Sequence, residues 1–335
     1  MAAGEPVLGS LYIYAPNQIA PIIFAVAFAC SAAGHIWQCY RYKAFLLAGF
    51  HPLCAVILAV GYALREYGSF HYFYTRGNLI TFICSQVLIY VCPPVLELAN
   101  YHVLSRLFQY VPHLSPLPPS HVMRIFGGLM TVVEALNAVG VSLFANPLAA
   151  QSRQSTGKSL IFAAIGMQVG IIITFFVVAG LFHARCATAG LTRQNKAVTT
   201  PLWTLYASMV LIFVRCVYRL VEKTMVTSVR VREVEALRGL SPMLRYEWFF
   251  YVFEAALMLV NSGLWNVWHP GRFLPGSRRV HLGVDGMEVQ TKKGVEVSVA
   301  RRVGRVVTCG LLFREKGEGR EFMELSETSG EAQAR

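Results

Sequence analysis

Long apolar stretches alternate with short polar connections along most of the chain. Seven of these stretches reach about 20 residues, the length that an α-helix needs to cross the hydrocarbon core of a bilayer. The predicted spans are residues 17–38, 44–64, 79–104, 122–145, 158–183, 202–221 and 247–268. The pattern therefore predicts an all-α polytopic membrane protein, built as a bundle of seven transmembrane helices.

The spans divide the chain into three parts. Residues 1–16 form a short N-terminal segment, residues 17–268 the transmembrane domain, and residues 269–335 a tail. The tail first mixes β-branched residues with arginines and then becomes acidic and rich in Ser and Gly. Few apolar residues remain there to form a core, so we expect the tail to be largely disordered, with a surface-lying segment as the alternative for its first half.

Basic residues near the first span predict the orientation. The segment before the span contains no Lys or Arg, whereas the first loop contains Arg41 and Lys43. Basic residues accumulate in cytoplasmic loops, so the N-terminus is predicted outside and, after seven spans, the tail is predicted in the cytoplasm. The remaining short loops carry nearly equal numbers of basic residues on the two sides and do not change this interpretation.

Composition supports a membrane protein and argues against nucleic acid as its partner. The chain is 55% hydrophobic and only 14% charged, whereas soluble domains contain about 25% charged residues. The net charge of +12 is explained by basic loops and a basic tail near anionic lipids, so nucleic acid is not an expected partner. The eight cysteines show no metal-site spacing, and neither a nucleotide-binding motif nor any other cofactor site is recognisable.

Charged residues inside the sixth span are unusual. Arg215, Arg219 and Glu222 follow one another at i, i+4 and i+7, which places all three on one face of a helix. Charges in a lipid-spanning helix are costly, so they normally face a partner or a water-filled cavity. We therefore expect this face to point into the bundle.

The seventh span carries a matching set. Glu247, Tyr251 and Glu254 have the same i, i+4, i+7 spacing, and the sixth and seventh helices run antiparallel. Arg215 and Glu254 each lie about 10 Å below the outer end of their helix. Equal depth and opposite charge predict two ion pairs, Arg219 with Glu247 and Arg215 with Glu254.

Two interpretations of these charges remain open. They form fixed ion pairs that hold two helices together, or they line an outward-opening polar cavity that binds a zwitterionic or amphipathic ligand. Amides inside the other spans are expected to form interhelical hydrogen bonds, whereas an intramembrane carboxylate can also change its protonation state. Further candidates for the polar path are Glu134, Asn137 and Gln168, with Glu66, Gln86 and Glu97 as secondary candidates.

Several motifs resemble those of a known family, in their order and spacing. They are "YAPNQIAPIIFAVAF", "REYGSF" with Glu66, "SQVLIYVCPPVLELANYHVLSR" with Gln86, "GKSLIFAAIGMQ" with Gln168, the Arg-x-x-x-Arg-x-x-Glu pattern of residues 215–222 followed by the polar face of the seventh span, and "HPGRFLPG". About residues 12–271 resemble the fungal lipid-translocating exporter family, the seven-span proteins named for resistance to aminocholesterol.

The fourth span departs from the family pattern. Met130 stands where the family usually has an aspartate, and Glu134 lies one turn further along the same face. Either the carboxylate has moved along the helix or Glu134 is unrelated to it. This departure bears on the identity of the substrate rather than on the fold.

The resemblance implies a fungal protein of the plasma membrane, or of an endomembrane, that moves or exports lipids. Its implied substrates are toxic amphipaths such as sphingoid long-chain bases and sterol-like amines, and its implied role is stress tolerance and drug resistance. A seven-span receptor or membrane stress sensor is the alternative, although the Asp/Glu-Arg-Tyr and Asn-Pro-x-x-Tyr motifs of rhodopsin-like receptors are absent. No enzymatic activity is expected, and the oligomeric state is left open.

Overall fold

Seven long helices dominate the computed structural model, which describes residues 7, 9–12, 14–144, 151–225, 241–277, 280–283 and 287–290. All seven are long and apolar enough to cross a membrane, which confirms the all-α, seven-span fold class. The helices are α1 (Ala20–Arg41), α2 (Phe50–Phe70), α3 (Arg76–Tyr110), α4 (Pro119–Phe144), α5 (Gln151–Thr188), α6 (Lys196–Met225) and α7, in which Glu247–Phe250 continues through a π-helical turn, Tyr251–Ala256, into Leu257–Val267.

Two helices are much longer than the bilayer requires. α3 has 35 residues and α5 has 38, which correspond to about 52 Å and about 57 Å of helix. The hydrocarbon core is about 30 Å thick, so both helices must tilt or extend beyond it. Short helical segments complete the connections: Phe45–Ala48, Pro112–Leu114, Leu191–Gln194, Pro242–Arg245 and Pro270–Arg272.

α3 is the central helix of the bundle. It packs against α2, α4 and α6, while α7 packs against both α1 and α6. Every residue from 99 to 108 of α3 is buried, which is the pattern of a helix enclosed on all sides rather than exposed to lipid on one. Polar side chains in this part of α3 therefore face other helices.

Glycines permit the closest helix contact, between α4 and α5. A Cβ atom on Gly140 would lie 2.9 Å from the carbonyl oxygen of Gly157, and one on Gly157 would lie 2.8 Å from the carbonyl oxygen of Gly140. Small residues at such positions let two backbones approach and gain van der Waals contact, which is the main source of helix association in lipid. Gly140 thus fixes α4, with Glu134 and Asn137, against α5.

The bundle has two ends, which we call the N-terminal face and the tail face. The N-terminal face is the end at which α1, α3, α5 and α7 begin, and the tail face is the end at which α2, α4 and α6 begin. The N-terminal segment folds over the α2–α3 connection on the first of these: Leu11 N–H donates to the Tyr72 carbonyl at 2.9 Å, and Tyr74 N–H donates to Gly9 at 3.0 Å. The Tyr12 side chain is buried beneath this segment.

The tail differs from the expected disorder in its first part. β1 (Val280–Leu282) and β2 (Glu288–Gln290) form an antiparallel hairpin in which Val280 pairs with Gln290 and Leu282 with Glu288. Val280 and Leu282 are buried, and β1 packs against α3. These alternating apolar residues give β1 one apolar face, which the expectation of disorder had not taken into account. Residues 291–335 lie outside the described part of the chain.

Two side chains of α3 join it to the tail. Arg106 Nη2 donates to the carbonyl oxygens of Pro275 at 2.9 Å and Ser277 at 2.5 Å. Tyr110 donates its hydroxyl hydrogen to Glu288 Oε1 at 2.8 Å. The described part of the tail is therefore attached to the central helix of the bundle.

Candidate functional site

Arg215 on α6 and Glu254 on α7 form the deepest ion pair on the N-terminal side of the bundle. Arg215 Nη2 and Nε lie 2.6 and 2.7 Å from Glu254 Oε1. Arg215 is 5% exposed and Glu254 1% exposed. The pairing predicted from equal depth on antiparallel helices is confirmed. Both charges are removed from solvent and lipid, so each depends on the other for compensation.

Arg219 does not pair with Glu247, and that predicted pair is wrong. Arg219 instead contacts Glu222, three residues along the same helix, and its Nε lies 3.4 Å from Glu254 Oε2. Its guanidinium group also lies 3.7 Å from the centroid of the Tyr90 ring on α3, a cation–π contact. Two carboxylates and an aromatic face within reach hold Arg219 on the α3 side, away from Glu247.

Glu247 pairs with Arg65, a residue that the sequence analysis did not select. Arg65 Nη2 donates to Glu247 Oε1 at 2.8 Å, and Arg65 is only 2% exposed. The predicted second span ended at residue 64, whereas α2 continues to Phe70 and holds Arg65 inside the bundle. The backbone N–H of Asn17 donates to Glu247 Oε2 at 2.6 Å, so the N-terminal segment caps the carboxylate.

Aromatic side chains surround the Arg65 guanidinium group. Its carbon lies 4.2 Å from the Phe250 ring centroid and 4.9 Å from that of Tyr12. Arg65 Nε donates to the Tyr251 hydroxyl at 3.2 Å, and Tyr251 in turn donates to Glu247 at 3.1 Å. Burial raises the pKa of the Tyr14 phenol, so Tyr14 stays neutral and accepts a hydrogen bond from Arg65 at 3.4 Å.

The π-helical turn Tyr251–Ala256 presents two of these polar residues. A π turn adds a residue to one helical turn and is often found at functional sites. It contains Tyr251, which contacts the Arg65 pair, and Glu254, which contacts Arg215. Through this turn, α7 contacts α2 by way of Tyr251 and α6 by way of Glu254. The surrounding sequence is a plain apolar run and gives no signal of it.

A buried carboxylate, Glu97, lies on α3 next to α5. Gln168 Nε2 donates to Glu97 Oε1 at 2.6 Å, and the Tyr101 hydroxyl donates to Oε2 at 3.3 Å. Glu97 is completely buried, and no described Lys, Arg or His lies within ion-pair distance of it. Arg215 is nevertheless near enough to interact with it electrostatically. Two candidates, Glu97 and Gln168, are therefore direct partners.

The remaining candidates lie next to the polar network, by which we mean the ion pairs described above together with Glu97 and Gln168. Glu134 is half-buried on α4 and interacts electrostatically with Arg215, while Asn137 is half-buried one turn beyond it. Gln86 is half-buried on α3, and both carboxylate oxygens of Glu66 are buried. Within the described residues, no hydrogen bond or ion pair joins the side chains of Glu66 or Gln86 to the network. The adjacent Arg65, and not Glu66, is the residue of α2 that enters it.

An apolar groove lies beside the charged face, between α6 and α7. Its walls include Phe213, Val217, Tyr218, Val221, Met243 and Phe253. The rings of Tyr218 and Phe253 stack across the groove with centroids 5.1 Å apart. Val221 adjoins Glu222 on α6 and Phe253 adjoins Glu254 on α7, so the apolar groove and the polar network lie on different faces of the same two helices. This combination suits a molecule with one charged end and one apolar end.

The charges of the site favour a cation. Arg65, Arg215 and Arg219 are matched by the carboxylates of Glu247, Glu254 and Glu222 in the ion pairs described above. Glu97 and Glu134 add carboxylates that have no arginine within ion-pair distance in the described residues. An additional positive group can therefore bind to Glu97 or Glu134. An additional negative group has no such partner, because every described arginine of the site is already paired.

Comparison with known proteins identifies relatives over most of the chain. The family described as RTA1-like protein matches residues 52–277. A lipid-translocating exporter-like protein RTA1 from Leptosphaeria maculans is 49% identical over 316 residues, which are 92% of this chain and 61% of the relative. A protein of the same name from Ajellomyces capsulatus is 30% identical over 215 residues, 61% of this chain and 62% of the relative.

A third relative is more distant. The probable lipid transporter atnI from Emericella nidulans is 24% identical over 288 residues, 80% of this chain and 69% of the relative. The matched part of this chain thus spans less than two thirds of the length of the first two relatives. No solved structure matches the chain.

Proposed function

Because this chain belongs to the RTA1-like family, we propose that it moves lipids or lipid-like amphipaths from one leaflet of the bilayer to the other. Two relatives are named lipid-translocating exporter-like proteins and a third is named a probable lipid transporter. The seven apolar helices make the chain an integral, multi-pass membrane protein, as such a role requires.

One observation carries the proposal: a buried polar network adjoins an apolar groove on α6 and α7. Moving an amphipath across a bilayer is slow because its polar head must leave water for hydrocarbon. Arg215, Glu254 and Glu97 offer the head charged and hydrogen-bonding partners inside the membrane. The groove at Tyr218 and Phe253 lets the apolar tail remain in contact with hydrocarbon while the head moves.

Cationic amphipaths are the substrates that the charges favour. An ammonium group can bind Glu97, or it can take the place of an arginine beside Glu254 or Glu222, without leaving any carboxylate uncompensated. Sphingoid long-chain bases and sterol-like amines both combine such a cation with a large apolar body. No covalent chemistry and no cofactor enter this proposal, so the protein acts as a transporter and not as an enzyme.

The proposal extends to the cellular role. Removal of a toxic amphipath from the cytoplasmic leaflet lowers its concentration inside the cell, which would give stress tolerance and drug resistance. Such a role places the protein in the plasma membrane of a fungus. The N-terminal face would then be extracellular and the tail cytoplasmic, as the basic residues of the first loop predict.

Leaflet exchange in reconstituted vesicles tests the proposal. The purified protein is reconstituted with a fluorescent long-chain base, and a membrane-impermeant quencher reports how fast the base changes leaflet. We expect faster exchange than in vesicles without protein. Glu97→Gln should slow it about tenfold or more, since an amide cannot ionise to pair with the bound cation, which then loses about 1.4 kcal/mol or more of stabilisation.

The matched control is Glu288→Gln. It is the same substitution at an exposed position on the tail hairpin, and we expect it to leave the rate unchanged. Exchange no faster than in empty vesicles would contradict the proposed function. Specific binding of the base without exchange is instead what the receptor or sensor alternative predicts. A wild-type rate in Glu97→Gln would exclude Glu97 from the path.

A further inference from the structure

Three histidines lie together inside the bundle, toward the tail face. They are His35 on α1, His51 on α2 and His269, which follows α7, and none is more than 2% exposed. The ring centroids of His35 and His51 are 5.7 Å apart, and those of His35 and His269 are 6.4 Å apart. The polar network described above uses none of them. We call these three residues the histidine cluster.

Two buried polar side chains at the cluster lack hydrogen-bond partners. Neither ring nitrogen of His51 has one among the described residues, and neither do the side-chain oxygen and nitrogen of Asn261. His51 stacks on the Trp265 ring at a centroid distance of 4.9 Å, and Asn261 lies one turn before Trp265 on α7. Burying such groups without partners is costly, so we expect a water molecule or another polar species to contact them.

The hydrogen bonds of the other two histidines leave sites for a proton. His35 Nε2 lies 3.3 Å from the Ser262 hydroxyl, while its Nδ1 has no partner among the described residues. His269 Nδ1 accepts the backbone N–H of Gly271 at 3.1 Å, so its hydrogen is on Nε2, which lies 3.7 Å from Cys39 Sγ. His35 and His51 are therefore the members with a free nitrogen.

The groups that face the cluster would hold an added proton only weakly. No described carboxylate forms an ion pair with any of the three imidazoles, so an added proton would not be held by a fixed anion. No group of described side chains there is arranged to hold a metal ion. The titratable and polar groups that face the cluster from the surrounding elements are Cys39, Tyr42, His102, Ser262, Trp265 and Arg272.

We propose that the histidine cluster binds one exchangeable proton and that the protein exchanges this proton for its cationic amphipath. The coupling part of the inference rests on the proposed translocation; the proton site itself does not. One proton is the capacity because a second imidazolium about 6 Å away in a low-dielectric interior would be strongly repelled. Imidazole is the side chain suited to such exchange near neutral pH.

α7 connects the cluster with the polar network. Trp265, which stacks on His51, lies eleven residues from Glu254 on this helix, which is about 16 Å. A cation bound at Glu254 and a proton bound at His51 repel each other across the dry interior, so binding of one favours release of the other. This reciprocal repulsion gives exchange of the two cations and not their joint movement.

Trp265 provides a test that needs no transport. A protonated imidazole stacked on an indole quenches its fluorescence, whereas a neutral one does so weakly. In a variant with Phe at Trp37, Trp203, Trp248 and Trp268, we expect Trp265 emission in nanodiscs to fall reversibly between pH 8 and pH 4. His51→Phe and His51→Gln should abolish the change, and His121→Phe, at an exposed site on α4, should retain it.

Emission that does not vary with pH would overturn the proton site, and so would a change that persists in both His51 variants. Should the four Phe substitutions prevent assembly, the unsubstituted chain labelled with 5-fluorotryptophan gives the same information by ¹⁹F NMR. The Trp265 resonance is then assigned by its absence in Trp265→Phe. A Trp265 shift that titrates only when His51 is present supports the site.

Vesicles with and without a pH gradient test the coupling. We expect the rate of exchange of a fluorescent long-chain base to increase when the leaflet that receives it faces the more acidic solution, with protons moving the opposite way past a trapped pH dye. The measured quantity is the ratio of rates with and without the gradient, and His51→Phe should bring it to one. An exchange rate of the base that is the same with and without the gradient in the wild type would overturn the coupling. Absence of exchange in every vesicle would contradict both translocation and coupling, while the Trp265 titration would still decide the proton site.

Discussion

Removing Glu254 should destabilise the protein more than removing its partner Arg215. Equal depth alone predicts similar effects, but the two residues have different neighbours. Glu254 lies 3.4 Å from Arg219 as well as 2.6 Å from Arg215, whereas Glu254 is the carboxylate that Arg215 contacts within ion-pair distance in the described residues. Glu254→Gln therefore leaves a buried, uncompensated guanidinium group, while Arg215→Met leaves Glu254 beside another arginine. Both substitutions nearly preserve side-chain length, so cavity effects are small.

The structure sets the expected magnitudes. Breaking a buried pair by removing the only partner of a charge costs about 3–5 kcal/mol, which we assign to Glu254→Gln. Arg215→Met loses a hydrogen bond between charged groups, worth about 1.5–3 kcal/mol. The double variant leaves Arg219 paired with Glu222 and no stranded charge. It should therefore be more stable than Glu254→Gln alone, with a coupling free energy of about 1–3 kcal/mol between the two sites.

Reversible unfolding by SDS in mixed micelles measures these free energies. Arg153→Met is the matched control, since it removes the same charge as Arg215→Met at an exposed position and should change stability by less than about 0.5 kcal/mol. The reasoning is refuted if Arg215→Met is as damaging as Glu254→Gln. It is also refuted if the double variant is no more stable than Glu254→Gln, because Arg215 would then have another counter-charge.

Three further predictions concern packing, the tail and orientation. Gly140→Ala should cost about 1–3 kcal/mol in SDS unfolding because its Cβ would meet Gly157, whereas Gly128→Ala on the same helix has no neighbour within 4 Å and should be neutral or stabilising. Truncation after residue 275 removes the Ser277 and Glu288 contacts of α3 and should lower the thermal midpoint of the detergent-solubilised protein by several degrees, whereas truncation after residue 290 should not; equal midpoints would show that the hairpin adds nothing. An epitope at the N-terminus should be reached by antibody in intact cells and one at the C-terminus only after permeabilisation, and the reverse result would invert the predicted topology.

The spans could be predicted from the sequence because the bilayer permits few structures. A backbone in hydrocarbon must satisfy its own hydrogen bonds, so a long apolar stretch is a helix. The fixed rise of that helix then made the depth of Arg215 and Glu254 calculable, and their pairing followed. Such arithmetic works where one helix is followed by its antiparallel neighbour and each has a single charge at the shared depth.

The same arithmetic failed near the end of the helices. Arg219 and Glu247 are at similar depth, but depth says nothing of rotation about the helix axis or of helices outside the pair. Glu247 points toward α2 and pairs with Arg65. The predicted second span had left Arg65 in a loop, because a charged residue usually marks the end of an apolar span. The π turn that rotates this part of α7 depends on tertiary contacts, and the apolar sequence of the segment does not predict it.

The two pairs of α7 constrain how the bundle could open. Glu247 ties the start of α7 to α2 through Arg65, and Glu254, seven residues further, ties it to α6 through Arg215. A movement of α7 away from α6 would strand Arg215 unless a second cation replaced it or Glu254 acquired one. Under the proposed translocation, a cationic head group from the groove would supply that charge at Glu254, and the electrostatic interaction with Glu97 on α3 would offset part of what Arg215 loses. Separation of α6 and α7 would therefore be least costly when such a cation is bound, which would make their opening depend on the substrate.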